Sequence, residues 1–273
     1  MEAALVLPPR PLVEAVPNAL HSADSEGLLE TDQQILRLAR AGDARGECIP
    51  DVARRTGSRM VDFKHDKPYH QKGLVPTHRV VMGFVRPGSR VLEFGCAGGY
   101  MTKGFQEEMG CSVTAVDINA EVAEQARPYA EKLITGDIEH PEIWEQIEGQ
   151  FDAAIFADVL EHLADPWQTL RRTKKVLRED GLIVSSIPNV AYYKIRKQLL
   201  LGRFDYTEYG ILDDTHLRFF TEKTTRALFE ATGYEVTDML RRFRAKTDRR
   251  LWRLNPNAFT YQFVVKAVPR RED

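Results

Sequence analysis

The sequence predicts an α/β fold: a seven-stranded, mostly parallel sheet with helices on both faces and an antiparallel hairpin at its C-terminal end. Three observations predict it. From about residue 69 onward, short apolar runs alternate with amphipathic ones. A glycine turn, Gly95-Cys96-Ala97-Gly98-Gly99, joins the first apolar run to the first amphipathic one. The last two apolar runs have no helical pattern between them, so they should pair as a hairpin with one strand reversed.

Residues 1–25 are rich in proline and alanine and read as a loose arm. Residues 26–41 carry Leu28, Leu29, Ile35, Leu36, Leu38 and Ala39 at helical spacing, and 49–57 add a shorter helix. Residues 1–68 are therefore expected to be an arm with a helical extension, and 69–273 the main domain. Within it the strands are 90–94, 112–116, 132–135, 151–157, 181–187, 234–242 and 260–268. The helices are 99–109, 121–129, 141–147, 167–177 and 221–232, the last with Thr221 as its cap and Gly233 at its end. A long insert, 188–220, follows the fifth strand, and 190–201 reads as an amphipathic helix within it.

A length of 273 residues and 43% hydrophobic content suffice for one large domain with extensions. A formal net charge of −2 favours neither nucleic acid nor a membrane as partner. The basic run between Arg241 and Arg253 reads as solvated surface. Cys48, Cys96 and Cys111 lack metal spacing, which suits a reduced, cytoplasmic setting. The apolar patch at residues 3–7 is too short for a secretion signal, and no run is long enough to span a membrane. The oligomeric state stays open, a homo-oligomer included.

Chemistry concentrates at the tips of the predicted strands. Gly95, Gly98 and Gly99 let backbone turn sharply and press against a ligand, and the following helix offers its first amides. Asp117, about twenty residues on, ends the second strand where a carboxylate can accept from both ribose hydroxyls. These features describe a pocket for an adenosine-type cofactor. A dinucleotide fingerprint would need glycines where Ala97 and Tyr100 stand, and Glu93 would push away a pyrophosphate. A carboxylate there suits a cationic ligand, so a nicotinamide-linked oxidoreductase is the weaker alternative.

The pattern Glu93-x-Gly95-x-x-Gly98-Gly99 with the later Asp117 resembles the nucleotide-binding core of class I S-adenosylmethionine (SAM) methyltransferases. The resemblance covers roughly residues 69–268 and implies a Rossmann-like sheet of seven strands. It implies that Glu93 faces the ammonium of the methionine moiety, with Gly95, Cys96, Ala97, Gly98 and Gly99 around it. Asp117 and Ile118 would lie at the ribose, and Asp137 and Ile138 at the adenine amino group and ring. Ala157 and Asp158 would help shape the pocket, and Tyr69 would cover the methionine end. S-adenosylhomocysteine (SAH) is then the product.

Beyond the cofactor, the fourth strand runs into Asp158-Val159-Leu160-Glu161-His162, and His216 arrives from the insert. Asp158, Glu161 and His162 share one face if that segment is helical. With His216 they form a candidate metal set, for Mg²⁺ or, given two imidazoles, Mn²⁺. The run is similar to the Glu-x-x-Glu-His of small-RNA 3′-end 2′-O-methyltransferases and of ubiquinone-pathway O-methyltransferases, with Asp158 one methylene shorter than the first Glu. Without a metal, His216 or His162 could act as general base, with Glu161 beside them. Asn189, Tyr192, Tyr193 and Arg196 on the insert are expected to form a substrate surface for a sugar, an aromatic ring or a phosphate. The insert resembles those of bacterial methyltransferases of glycan and specialised-metabolite pathways. The expected reaction is methyl transfer to a hydroxyl of a small-molecule or sugar-like acceptor. N-methylation, methylation of an RNA ribose and a non-catalytic SAM-binding role are the alternatives.

Overall fold

The computed structural model describes residues 61–62 and 74–270. Tyr69, the predicted helices 26–41 and 49–57, and Cys48 lie outside the described residues. The sheet runs in the order β1-β7-β8-β6-β5-β2-β3-β4. Its strands are β1 (Val61–Asp62), β2 (Arg90–Phe94), β3 (Ser112–Asp117), β4 (Lys132–Thr135), β5 (Phe151–Ala157), β6 (Leu177–Pro188), β7 (Tyr234–Phe243) and β8 (Gln262–Pro269). Seven of them match the predicted strands. The two-residue β1, parallel to β7, is an addition without a sequence signal.

The parallel strands are apolar almost without break because both faces of the sheet are covered. Side chains alternate along β5: Ala154 and Phe156 join one core, Ala153 and Ile155 the other. β2 divides in the same way, with Leu92 and Phe94 on the first side and Val91 on the second. The helices covering these faces are α1 (Pro76–Met82), α2 (Tyr100–Met109), α3 (Ala120–Ala123), α4 (Pro141–Glu145), α5 (Pro166–Val176), α6 (Tyr193–Leu200), α7 (Glu222–Glu230), α8 (Lys246–Leu251) and α9 (Pro256–Phe259). Their starts follow local chemistry: the side chains of Asn119, Asp165, Thr221 and Asn255 each accept a backbone N–H of the first turn.

Four expectations need correction. The predicted helix 121–129 is a single α turn followed by a 3₁₀ segment, Glu124–Tyr129, which contains Pro128. β6 begins at Leu177, where a helix end was expected, and its register with β5 breaks between Phe151 and Ala153. β8 pairs antiparallel with β7 as expected, but the connection between them is not free of helices. β8 inserts between β7 and β6, antiparallel to both, and α8 and α9 fill the connection. Finally, the basic run is only partly solvated. Arg242 is buried, Arg241 pairs with Glu222 at 2.8 Å, and Arg244 stacks over the Tyr261 ring.

The chain leaves β2 towards β3 and β4, then returns to β5 and β6 on the other side. That reversal opens a crevice above the carboxyl ends of β2 and β5, the position where open α/β sheets bind ligands. No helix among the described residues is long and apolar enough to cross a membrane.

Candidate active site

A cleft of about 560 Å³ occupies this crevice. Its walls come from the glycine turn, the start of α2, the tip of β5, α1, the insert and the residues entering β8. Glu93, Gly95, Cys96, Ala97, Gly98, Ala157, Asp158, Glu161, His162 and His216, all expected site residues, line it together.

The glycine turn is held by the strand beside it. Asp117 accepts the Ala97 N–H at 2.7 Å through one carboxylate oxygen and the Asn119 N–H at 2.8 Å through the other. The first bond fixes Ala97 in the left-handed region, at φ 44°, where a non-glycine residue is strained. Gly99 caps α2 at φ 73°, and a Cβ there would stand 2.5 Å from the Ala126 Cα. Gly99→Ala is therefore expected to cost on the order of 3 kcal/mol or more, read as a loss of unfolding free energy in denaturant titration. Gly99 works behind the wall, as a packing residue rather than as part of the lining.

Glu93 is 1% exposed and accepts the Thr102 hydroxyl at 2.7 Å. Burial raises its carboxyl to about 8, the Thr102 bond opposes this, and the charge of Asp117 adds to it. Burial also pushes the Cys96 thiol upward, so it stays protonated.

Asp137 turns towards its own loop and accepts the Glu139 N–H at 2.9 Å. Ile138 is 7% exposed within the first core, and its carbonyl accepts the Trp144 ring N–H. The expectation that Ile138 covers a bound ring is thus not met: its side chain packs inward. Ile118 remains 71% exposed in the loop after β3.

At the tip of β5 the expected helical face does not form. Asp158 sits at φ 56°, and only Leu160–His162 turn as a 3₁₀ segment. Asp158 is therefore separated from the other candidate ligands. It accepts the Gln262 side-chain N–H, and burial raises its carboxyl to about 6. Thr77 of α1 donates to the same Gln262 at 3.2 Å, which ties α1 to the strand tip.

The remaining three converge. Ligand atoms of Glu161, His162 and His216 lie within 4.8 Å of one another, and the two imidazoles meet edge to face at 4.6 Å. The Leu217 and Arg218 N–H groups both donate to the Glu161 carbonyl at 2.9 Å, which brings the insert onto the strand tip. The hydrogen bonds fix both tautomers. Thr215 donates its hydroxyl proton to Asp213 at 2.6 Å, so His162 Nδ1 must donate to the Thr215 oxygen at 3.0 Å. His216 Nδ1 lies 3.1 Å from the Ile211 carbonyl, which can only accept. Each ring therefore keeps an unprotonated Nε2. Burial lowers both imidazoles, and the charge of His216 lowers His162 further. Glu161 is 1% exposed, and neither of its carboxylate oxygens has a hydrogen bond among the described residues. Burial, then the charge of Asp158, raises its carboxyl well above the usual range.

The expected substrate surface is corrected in part. Asn189 is fully buried and donates to the carbonyls of Asn257 and Thr260 at 2.8 and 2.7 Å. Tyr192 is buried, with its hydroxyl on Asp248 at 2.6 Å. Both hold the insert to the connection between β7 and β8. Tyr193 packs at the edge of a small core formed by Tyr192, Ile195, Ile211, Leu212 and Tyr261, and Arg196 is exposed outside the cleft, donating to the Ala191 carbonyl. Residues that the sequence did not single out take the wall instead, among them His78, Gln125, Tyr261 and Gln262. They come from elements distant in sequence and have no local pattern to mark them.

A sheet of this order, with a glycine turn and acidic strand tips around the switch crevice, defines a class I SAM-dependent methyltransferase domain. The chain belongs to the methyltransferase-domain family, whose model matches residues 67–239. Over 127 residues it is 30% identical to a ubiquinone biosynthesis O-methyltransferase of Xanthomonas campestris pv. campestris, a stretch amounting to 45% of this chain and 53% of the relative. The chain thus spans about half the length of the curated relatives it matches. Among solved structures, a SAM-dependent methyltransferase from Archaeoglobus fulgidus superposes with a TM-score of 0.52 at 17% identity, over 70% of this chain and 90% of that one. Another from Methanosarcina mazei gives 0.52 at 16% identity, over 74% and 100%. These two likenesses establish the fold: a Rossmann-like methyltransferase sheet with antiparallel C-terminal strands.

Proposed function

We propose that this protein transfers the methyl group of SAM to a hydroxyl of a small-molecule acceptor seated against Glu161, His162 and His216. One observation carries the reading: a buried carboxyl group without a hydrogen bond among the described residues, flanked by two imidazoles with fixed tautomers, faces the same cleft as the glycine turn. In this reading residues 69–273 form the catalytic domain and the insert closes its acceptor side.

Glu93 holds the cofactor's ammonium, Asp117 its ribose hydroxyls and Asp137 its adenine amino group. The sulfonium is already activated, so the protein's part is to orient the acceptor and take its proton. The acceptor oxygen attacks the methyl carbon in line, the carbon–sulfur bond breaks, and SAH leaves. The hydroxyl proton passes to the Nε2 of His216 or His162, which burial keeps unprotonated near neutral pH. Orientation can contribute about 7–11 kcal/mol at best, and a placed base about 10²–10⁴-fold. The curated relative's name, an O-methyltransferase, supports oxygen as the acceptor atom.

The same three side chains fit a divalent metal. Glu161 offers free oxygens, and both imidazoles present lone pairs fixed by bonds at the opposite nitrogen. Mg²⁺ or Mn²⁺ held there would lower the pKa of an acceptor hydroxyl. Asp158, bonded to Gln262, is not part of that set.

Calorimetric titration with SAM, SAH and NAD(P), with and without chelator, tests the cofactor assignment. Binding of the two SAM species alone is expected, and binding of NAD(P) instead would overturn it. Asp117→Ala should weaken SAM by roughly 1–3 kcal/mol, since it loses ribose contacts and the brace on Ala97 together. Unchanged affinity in the same titration would remove Asp117 from the site.

A further inference from the structure

The insert divides its charges unevenly. Its basic residues Lys194, Arg196, Lys197, Arg203 and Arg218 are exposed and do not line the cleft, and Arg203 is paired with Asp205 at 2.6 Å. Its acids face the other way: Glu208, Asp213 and Asp214 line the cleft on the acceptor side, beside Glu161. With Glu93 and Asp158, six carboxyl groups line the cleft, and no lysine or arginine does so among the described residues. Arg244 stacks over the Tyr261 ring at 5.4 Å but is not part of the lining. Buried Glu161, with neither carboxyl oxygen hydrogen-bonded among the described residues, lines the same end and is a second, independent group there without a partner.

From this placement we infer that the acceptor is a hydroxyl-bearing cation, a hydroxylated amine whose ammonium lies against Glu208, Asp213 and Asp214 while its hydroxyl reaches His216. The inference rests on the methyl-transfer reading above and narrows its substrate class. The acids keep such an amine protonated, because a neighbouring opposite charge favours the charged form. A protonated amine has no lone pair for attack, so the nitrogen anchors and the oxygen accepts the methyl group. An anionic acceptor meets like charge at the rim, and this disposition selects against it. The phosphate that the insert's basic residues suggest in sequence meets no lysine or arginine in the lining of the cleft among the described residues.

Three catechols of similar shape separate the outcomes: dopamine, 4-methylcatechol and 3-(3,4-dihydroxyphenyl)propionate. Their dissociation constants on SAH-loaded protein and their kcat/KM with SAM are measured at 50 and 300 mM salt. Dopamine is expected to bind at least about ten-fold more tightly than the propionate and to show a kcat/KM at least about ten-fold higher, with the neutral catechol between and the gap narrowing in salt. The double variant Glu208→Gln/Asp214→Asn, at two exposed positions, should compress the ratio to within about three-fold, and its SAM affinity reports that it is folded. Equal or better use of the propionate, a ratio unmoved by the variant, or no binding of any of the three overturns the inference. Turnover without charge preference would remove the inference and leave the methyl-transfer reading. Charge-selective binding with no methyl transfer to oxygen would overturn both the inference and the hydroxyl-acceptor reading on which it rests.

Discussion

Glu161→Gln is expected to lower kcat/KM for methyl transfer by about 10²- to 10⁴-fold, leave SAM affinity within about three-fold, and raise the melting temperature. The activity loss follows from the position of the carboxylate beside two imidazole lone pairs at the acceptor end. The stability gain follows from its burial without a hydrogen bond. Because the folded-state pKa is raised above the unfolded value, the folded protein holds this proton more tightly. Stability from this group is fully present below the unfolded pKa and is lost as pH rises towards the folded one. The amide removes that loss, so the variant's advantage should grow as pH rises above the ordinary carboxyl value of about 4.5 and amount to on the order of 1–3 kcal/mol. Thermal unfolding across that rise in pH, alongside steady-state kinetics, checks both halves. A destabilised variant with unaltered kinetics would make Glu161 a structural residue.

Glu93→Gln should weaken SAM by about 1–3 kcal/mol at pH 8, or roughly 5- to 150-fold, while stabilising the free protein. The raised pKa, about 8, means that much of this carboxyl is protonated at neutral pH in the free cleft. A cationic cofactor favours the carboxylate, so binding must release the proton. SAM affinity of the native protein should therefore climb with pH up to about 8 and level off above it. Calorimetry at pH 7 in buffers of different ionisation enthalpy should register the release of up to about one proton. In the glutamine variant, which keeps an acceptor for Thr102, both the slope and the release should vanish. A native affinity that is flat between pH 6 and 8 would detach Glu93 from the ammonium.

Much of the glycine-turn side of the cleft is legible in the sequence because its determinants are local. Glycines at a strand-to-helix turn, and a carboxylate at the next strand tip, are fixed by backbone geometry within about twenty residues. The acceptor side is not local. Whether Asp158 joins Glu161 depends on a left-handed residue, φ 56°, that breaks the helical spacing between them. Asn189 and Tyr192 look like surface groups in sequence, and become buried only because the α8–α9 connection closes over them. The antiparallel pairing of β7 with β8 is legible, but the second pairing of β8, with β6, is not, since one hydrophobic pattern serves a strand with one neighbour or two. His78 and Gln262 reach the cleft through packing of α1 and β8 against the sheet, which no local run of residues encodes.

The most direct test of the central claim follows label from methyl-labelled SAM onto dopamine in the native protein and in His216→Ala, with SAM affinity measured in both. The account predicts label on a catechol oxygen, lost by about 10²-fold or more in the variant while SAM still binds. Label on nitrogen, or oxygen methylation that survives loss of His216 undiminished, would contradict it.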